Sequence, residues 1–340
     1  MDAADLTNPL FTDEDAAWAH YETVRWPDGA ICPKCGSVGN STRLENKTTT
    51  RTRKDKDGNT VTKSWTRRGV HKCKDCGEQF TATVGSIFES SHIPMNKWLL
   101  AMHLMCASKK GISALQLHRM LGFGSYRTAW FMAHRIREAM DMKKGPLPPM
   151  GGAGGIVEAD ETYYGKVENP RTETSSGRAI KRGGRGRGPA NKRAVLALVE
   201  RGGAIRTFHV AEANRDTVEK IVRENVSKEA RLHTDESRLY PRVGQEFASH
   251  ETVRHTAGEY ARGDVHINSA EGFFGVFKKG MTGVYQHCDE KHLHRYLNEF
   301  EFRFNTRTKL GVTDKERAAL AVKNTVGKRL TYRPAGKSVS

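Results

Sequence analysis

Two groups of side chains in this sequence are suited to holding metals, and they lie in different parts of the chain. The first is a pair of cysteine motifs, "CPKCG" (Cys32, Cys35) and "CKDCG" (Cys73, Cys76). Zn2+ prefers four tetrahedral ligands, and thiolates about 2.3 Å away satisfy it. Two residues between the cysteines let one tight turn present both sulfurs. The glycine after each second cysteine permits that turn's backbone angles. The 37 residues between the pairs exceed the usual spacing, but an inserted hairpin would leave both turns undisturbed. A closed four-sulfur site has no open position for substrate. It predicts a structural zinc ribbon, not an active site.

The second group is acidic. "GGIVEADETYYGK" holds Glu158, Asp160 and Glu161; "HTDES" holds Asp235 and Glu236; "NSAEGFFGVFKKG" holds Asn268 and Glu271. Converging carboxylates can hold two divalent cations about 3.5–4 Å apart, which activate a hydroxyl and stabilise the departing oxygen of a phosphodiester. Mg2+ suits such a site, because it takes oxygen ligands and keeps positions open for phosphate and water. Between Asp235 and Glu271 lie 35 residues, and Lys278 follows Glu271 by seven, or two helical turns on the same face. There it would hold a DNA phosphate. Strand alternation puts Glu158 and Asp160 on one face and does not choose between them. Asn268 to Glu271 also reads as a variant capping box, Asn-x-x-Glu, with no catalytic role.

The elements that must position these groups are marked by breakers. Residues 15–91 hold both cysteine pairs and, between them, "NKTTTRTRKDKDGNTVTKSWTRR", whose Asp-Gly-Asn turn predicts an exposed β-hairpin. Residues 92–142 have helical periodicity and divide into three helices. The second should bury Ile112, Leu115 and Leu121; the third, opened by Ser125 as N-cap, should bury Trp130, Ala133 and Ile136. Two helices joined by a glycine turn, the later one basic, fit a helix-turn-helix with Arg127, His134 and Arg135 directed at DNA. Residues 143–155 form a Pro/Gly linker. Residues 156–308 run strand, hairpin, helix, strand, helix, with the hairpin turning at Arg201-Gly202-Gly203 and Phe273, Phe274 and Phe277 on one helix stripe. That order predicts an α/β fold with an RNase H-like mixed-sheet core. The tract "SSGRAIKRGGRGRGPANK" reads as a mobile basic loop, and residues 309–340 as a basic tail.

Composition narrows the partners. The chain of 340 residues carries 56 Lys and Arg against 39 acids, a net +17. An excess of that size points to nucleic acid, since each cation placed on a phosphate releases counterions. No apolar run is long enough to span a bilayer, and "MDAADLTNPL" lacks the charged-then-apolar order of a signal peptide. Paired cysteines with two left alone, Cys106 and Cys288, fit a reducing compartment and a metal site better than a disulfide framework.

Taken together, "CPKCG", "CKDCGEQFT", "GISALQLHRMLGFGSYRTAWFMAHRIR", "VEADETYYG", "HTDES", "VHINSAEGFFGVFKKGMTGVY" and "YLNEFEFRFN" resemble the bacterial insertion-sequence transposases of the Asp-Asp-Glu type, in the Merlin-related group with an N-terminal zinc ribbon. The resemblance spans residues 15–308. It implies a catalytic set of Asp160, Asp235 and Glu271 with Lys278 beside it, and it alone prefers Asp160 to Glu158. Some relatives place Asn third, which keeps Asn268 as the alternative to Glu271. The implied activity is binding of an element's terminal inverted repeats, then Mg2+-dependent cleavage and strand transfer. The implied partners are double-stranded DNA, both element ends and target, and further copies of the chain on that DNA. The implied location is cytoplasmic, on the nucleoid, with no membrane. The alternatives are a catalytically inactive or domesticated DNA-binding regulator, or a related nuclease that cuts without joining.

Overall fold

A computed structural model describes residues 5–143, 145–168 and 191–331. Lys144, nearly all of the expected basic loop, and the tail beyond residue 331 lie outside the described residues. The described chain forms two compact units. One holds residues up to 107, 114–139 and those from 314; the other holds 108–113 and 140–313. No helix among the described residues is long and apolar enough to cross a membrane.

The first unit opens with α1 (Pro9–Thr12) and α2 (Glu14–Arg25); the Asp13 side chain caps α2 by accepting from the Asp15 amide at 2.8 Å. Next come strands β1 (Ser41–Arg43), β2 (Lys47–Lys54), β3 (Thr60–Arg67), β4 (Val70–Cys73) and β5 (Gln79–Thr81). β1, β4 and β5 make an antiparallel sheet in the order β1-β4-β5, while β2 and β3 pair only with each other as the expected hairpin. The Asp55 carboxylate closes the hairpin turn by accepting from the amides of Asp57 and Asn59 at 2.9 and 2.8 Å. Then follow helices α3 (Met95–Ala107), α4 (Ala114–Met120) and α5 (Tyr126–Met140).

Trp98, Met102 and Met105 of α3, and Met132, Ala133 and Ile136 of α5, are buried. The Phe88 ring stands edge-on to Tyr21 at 4.9 Å and to Trp98 at 5.1 Å. Ile112 and Leu121 are buried as expected, but Leu115 is 45% exposed. Leu117 is fully buried instead, one turn before Leu121, so the apolar stripe of α4 runs two residues later than the sequence suggested. The end of the chain also departs from the expected tail. Asp314–Lys323 is a helix of this same unit. Arg317 donates to the Cys106 carbonyl at 3.1 Å, and Lys328 to that of Glu138 at 2.7 Å.

The second unit is built on one mixed sheet. Its strands are β6 (Ile156–Tyr164), β7 (Arg193–Glu200), β8 (Ile205–Val210), β9 (Arg231–Thr234) and β10 (Ser249–Thr252), in the order β10-β9-β6-β7-β8. β6, β7 and β8 form an antiparallel meander, while β9 runs parallel to β6 and β10 parallel to β9. This is the RNase H-like arrangement. Its helices are α6 (Arg215–Asn225), α7 (Pro241–Gly244), α8 (Asn268–Gly280) and α9 (Leu293–Asn305). One face, with Leu196 and Leu198 of β7, packs on Val218 and Val222 of α6; the other, with Val195 and Ala197, packs on Phe273 and Phe277 of α8 and Phe300 of α9. Cover on both faces explains why β7 reads as an almost unbroken apolar run. The expected linker is part of this unit: Met150 is buried and exchanges backbone hydrogen bonds with the chain at Asn225 and Ser227.

Candidate active site and metal centre

The two cysteine turns are built alike. The amides of Gly36 and Gly77 donate to the carbonyls of Cys32 and Cys73 at 2.9 and 3.1 Å. Both glycines have positive φ, 76° and 73°, which only glycine adopts without strain. The four Sγ atoms lie within 4.8 Å of one another, with Cys32–Cys76 at 3.7 Å and Cys35–Cys73 at 3.6 Å. A tetrahedron with zinc–sulfur bonds of about 2.3 Å has edges of about 3.8 Å. The spacing therefore fits structural zinc. The four thiols share their protons: the Cys35 amide draws the Cys32 thiol down, while burial and the neighbouring sulfurs push Cys35 and Cys76 up, so a cation is what would let all four become thiolates.

The carboxylates come from three elements. Asp160 sits in the middle of β6, opposite Ala197 of β7. Asp235 follows the last residue of β9, which is parallel to β6, and accepts from the Ser237 amide at 3.0 Å. Glu271 stands in the first turn of α8, half exposed, with one oxygen 3.7 Å from His255 Nδ1. Burial, reinforced by the charges of Glu161, Asp235 and Glu271, pushes the Asp160 carboxyl up to about 8. Burial likewise raises Asp235, against the opposing effects of the Ser237 amide and His255. So the three groups are near enough for their charges to act together. Their oxygens are less tightly gathered than the sulfurs: among the described residues, only the four cysteines bring three or more ligand atoms within 4.8 Å. A set of like-charged oxygens at a partly buried strand end lowers its energy by taking up a proton or a hard cation. Mg2+ suits such donors.

Glu158, on the same face of β6 as Asp160, has a different task. It is fully buried, and one oxygen accepts from the Ser269 and Ala270 amides at 2.7 and 3.1 Å. The other accepts from the Ser269 hydroxyl at 3.1 Å and from Arg201 Nε at 3.0 Å. A carboxylate thus satisfies the free amides at the start of α8 and faces the positive end of its dipole. The arrangement displaces the capping-box reading. Asn268 is the first helical residue and Ile267, whose side chain cannot cap, occupies the cap position; the Asn268 amide donates to His266 Nδ1 at 3.4 Å. Arg201, in the β7–β8 turn, also donates to the carbonyls of Asp264 and His266 at 2.6 and 2.9 Å, fixing the chain just before α8. Glu161 lies on the opposite face and accepts from Tyr240 and Ser237 at 2.6 and 3.1 Å. His255, Arg201 and the anchoring role of Glu158 were not expected from sequence. Their partners at this site lie 16 or more residues away, so no local signal marked them.

The remaining expected positions divide. Lys278 is exposed in the last turn of α8. Asn268 is also exposed. Ser125 caps α5 by accepting from the Arg127 amide at 3.2 Å, and Arg127 is exposed. His134 and Arg135 are buried, contrary to the expectation that they face DNA. Arg135 donates to the carbonyls of Ile87 and Glu89 at 2.9 and 3.2 Å, and the His134 ring packs on Trp130 at 4.1 Å. Arg135 thus ties α5 to the segment at Ile87 and Glu89, and His134 is buried on the helix beside Trp130.

Comparison with known proteins agrees with this architecture. Residues 12–79 match the transposase zinc-ribbon domain, and residues 152–305 match the ISXO2-like transposase domain. An uncharacterized protein in transposable element ISH50 of Halobacterium salinarum is 27% identical over 305 residues, covering 86% of this chain and 91% of the relative. A crystal structure of a pre-cleavage Mos1 transpososome aligns over 67% of this chain and 78% of that one at 9% identity, with a TM-score of 0.24. With a zinc ribbon, an RNase H-like core and both matching domains in this order, the chain belongs to the insertion-sequence transposases of the Asp-Asp-Glu type that carry an N-terminal zinc ribbon.

Proposed function

We propose that the protein binds the terminal inverted repeats of its element, cuts the DNA at their ends, and joins the freed 3′-hydroxyl to target DNA. The observation that supports this reading is Asp160, half-buried in the middle of β6 and raised to about 8 by burial and by the charges of Glu161, Asp235 and Glu271. In this reading Asp160, Asp235 and Glu271 hold Mg2+. The bound cations would supply activation of the attacking hydroxyl and stabilisation of the departing oxygen. Glu158 and Arg201 hold the start of α8, and so the height of Glu271 above the sheet. Lys278, two turns along α8, contacts a DNA phosphate.

Helices α4 and α5 act as a helix-turn-helix in this account, with the exposed start of α5 at Tyr126 and Arg127 entering the major groove. The test is incubation of the protein with labelled element ends and Mg2+, scored for nicks and joined products. Nicked ends and joined strands, both dependent on Mg2+, are expected. Bound but uncut ends would mark a regulator, and cut but unjoined ends a nuclease.

A further inference from the structure

We propose that the hairpin β2–β3, inserted between the two halves of the zinc site, is a second DNA-binding element that lays its basic face in the major groove of a duplex. The proposal rests on the reading of the chain as a DNA transposase, and it adds a surface which that reading does not require. Register sorts the hairpin into two unlike faces. On one, hydroxyls meet across the strands: Thr48 with Thr66 at 2.8 Å, Thr50 with Ser64 at 2.9 Å and Thr52 with Thr62 at 3.3 Å. On the other, Lys47 lies opposite Arg67, Arg51 opposite Lys63, and Arg53 two residues further along the same face.

Like charges directly opposite each other destabilise an antiparallel pair. Among the described residues, none of these five cations forms an ion pair. Arg68, just past β3, shows the contrast. It pairs with Glu14 at 2.9 Å and Asp15 at 2.8 Å, as a basic residue serving the fold does. The hairpin row has no such use. It is what a polyanion would neutralise.

The shape agrees with the charge. Each strand has eight residues, about 26 Å of extended chain at about 3.3 Å per residue. A two-stranded ribbon is one of the few elements that the major groove of B-DNA, about 12 Å wide, admits. Trp65, 44% exposed, shares the basic face. A cavity of about 980 Å³ beside the hairpin is lined by Arg51, Arg53, Lys63 and Trp65, with Ser64 and Thr66 of the other face and Glu14 also on its lining. One tryptophan is not the row of aromatics on which single strands stack, and the major groove of A-form RNA is too deep and narrow for a ribbon. The face fits duplex DNA.

The test measures binding of the full, zinc-loaded chain by fluorescence anisotropy, without added Mg2+. The probes are a duplex carrying an element end and an unrelated duplex, between 50 and 200 mM salt. The triple variant Arg51→Ala, Arg53→Ala, Lys63→Ala should bind both duplexes at least about tenfold more weakly, with the slope of log affinity against log salt smaller by about two to three. Arg51→Lys with Lys63→Arg should keep the parent slope, and Thr50→Ala with Ser64→Ala, on the other face, should bind like the parent. Zinc content is measured on every sample. Should the triple variant lose zinc, Lys63→Ala alone decides, with an expected slope loss of about one. Unchanged affinity and slope would overturn the proposal, as would single-stranded DNA or RNA competing as well as duplex. Failure of the transposase reading would look different: duplex binding intact, with neither nicks nor joins once Mg2+ is supplied.

Discussion

The cysteine site and the proposed carboxylate site would each gather like-charged ligands around a cation, but they are assembled on opposite principles. The zinc ligands come as two local turns, each complete within a few residues and each closed by its own glycine and backbone hydrogen bonds. Bringing the turns together requires only the small sheet of β1, β4 and β5. The carboxylates come one each from a central strand, a strand end and a helix, and nothing local joins them. Their geometry depends on the sheet order and on a buried anchor, Glu158, that is itself no ligand in this account. A site made of local turns should depend mainly on its metal. A site made by the fold should depend on residues that never touch the metal.

The largest expected effect follows from the first half of that contrast. Cys35→Ser with Cys73→Ser should remove the zinc and with it the folding free energy that such sites contribute, about 10–16 kcal/mol for small zinc modules. Metal analysis should fall from about one zinc per chain to none. Hydrogen exchange should show loss of protection in the ribbon while the sheet of the second unit stays protected. Unchanged zinc in this variant would remove the site assignment.

The second half predicts a smaller effect from a residue outside the metal site. Glu158→Ala leaves Arg201 and the first amides of α8 without their buried partner, a loss of about 3–5 kcal/mol. The expected outcome is a lowered melting temperature of the second unit, and cleavage that falls even at temperatures where the variant is folded. Duplex binding should be retained. A Glu158→Ala protein as stable and active as the parent would dissolve the distinction between the two sites.

This contrast also decides what could be read from the sequence. Cys-x-x-Cys-Gly, written twice, is a complete description of its own turn. Asp160 and Glu158 alternate onto the same face of β6, and only the long-range contacts of Glu158 with Arg201 and the start of α8 separate an anchor from a candidate ligand. β6 was legible through Ile156, Val157 and Tyr163 between glycines, and β7 and β8 through their apolar runs on either side of the Arg201-Gly202-Gly203 turn. β10 was not: "SHET" is short, polar and half-buried along its length. The helix Asp314–Lys323 was lost in a charged sequence, although Asp314 and Glu316 in its first turn and Lys323 in its last are helix-end signals.

The basic residues of α5 carry the same lesson, and they supply a prediction of intermediate size. Arg135→Ala should cost about 1–3 kcal/mol of stability, since two buried carbonyls lose their donor. Arg127→Ala, at an exposed position, should lower the melting temperature less than Arg135→Ala and weaken binding to element ends by about 1–3 kcal/mol if it reaches a base edge. Thermal melts and binding curves on both variants should therefore show opposite patterns. The smallest effect is expected of Asn268→Ala, within about 0.5 kcal/mol in stability, because its side chain is exposed and caps nothing.

In the proposed mechanism the third ligand is Glu271, presented by a helix whose start is pinned to β6. The most direct measurement compares Glu271→Gln and Asn268→Ala on labelled element ends with Mg2+, with binding and zinc content followed in the same preparations. Glutamine keeps the shape of glutamate and loses the charge that a cation requires. Glu271→Gln should bind ends normally and yield neither nicks nor joined strands, while Asn268→Ala should yield both. An active Glu271→Gln beside a folded but inactive Asn268→Ala would contradict this assignment and move the third ligand to Asn268.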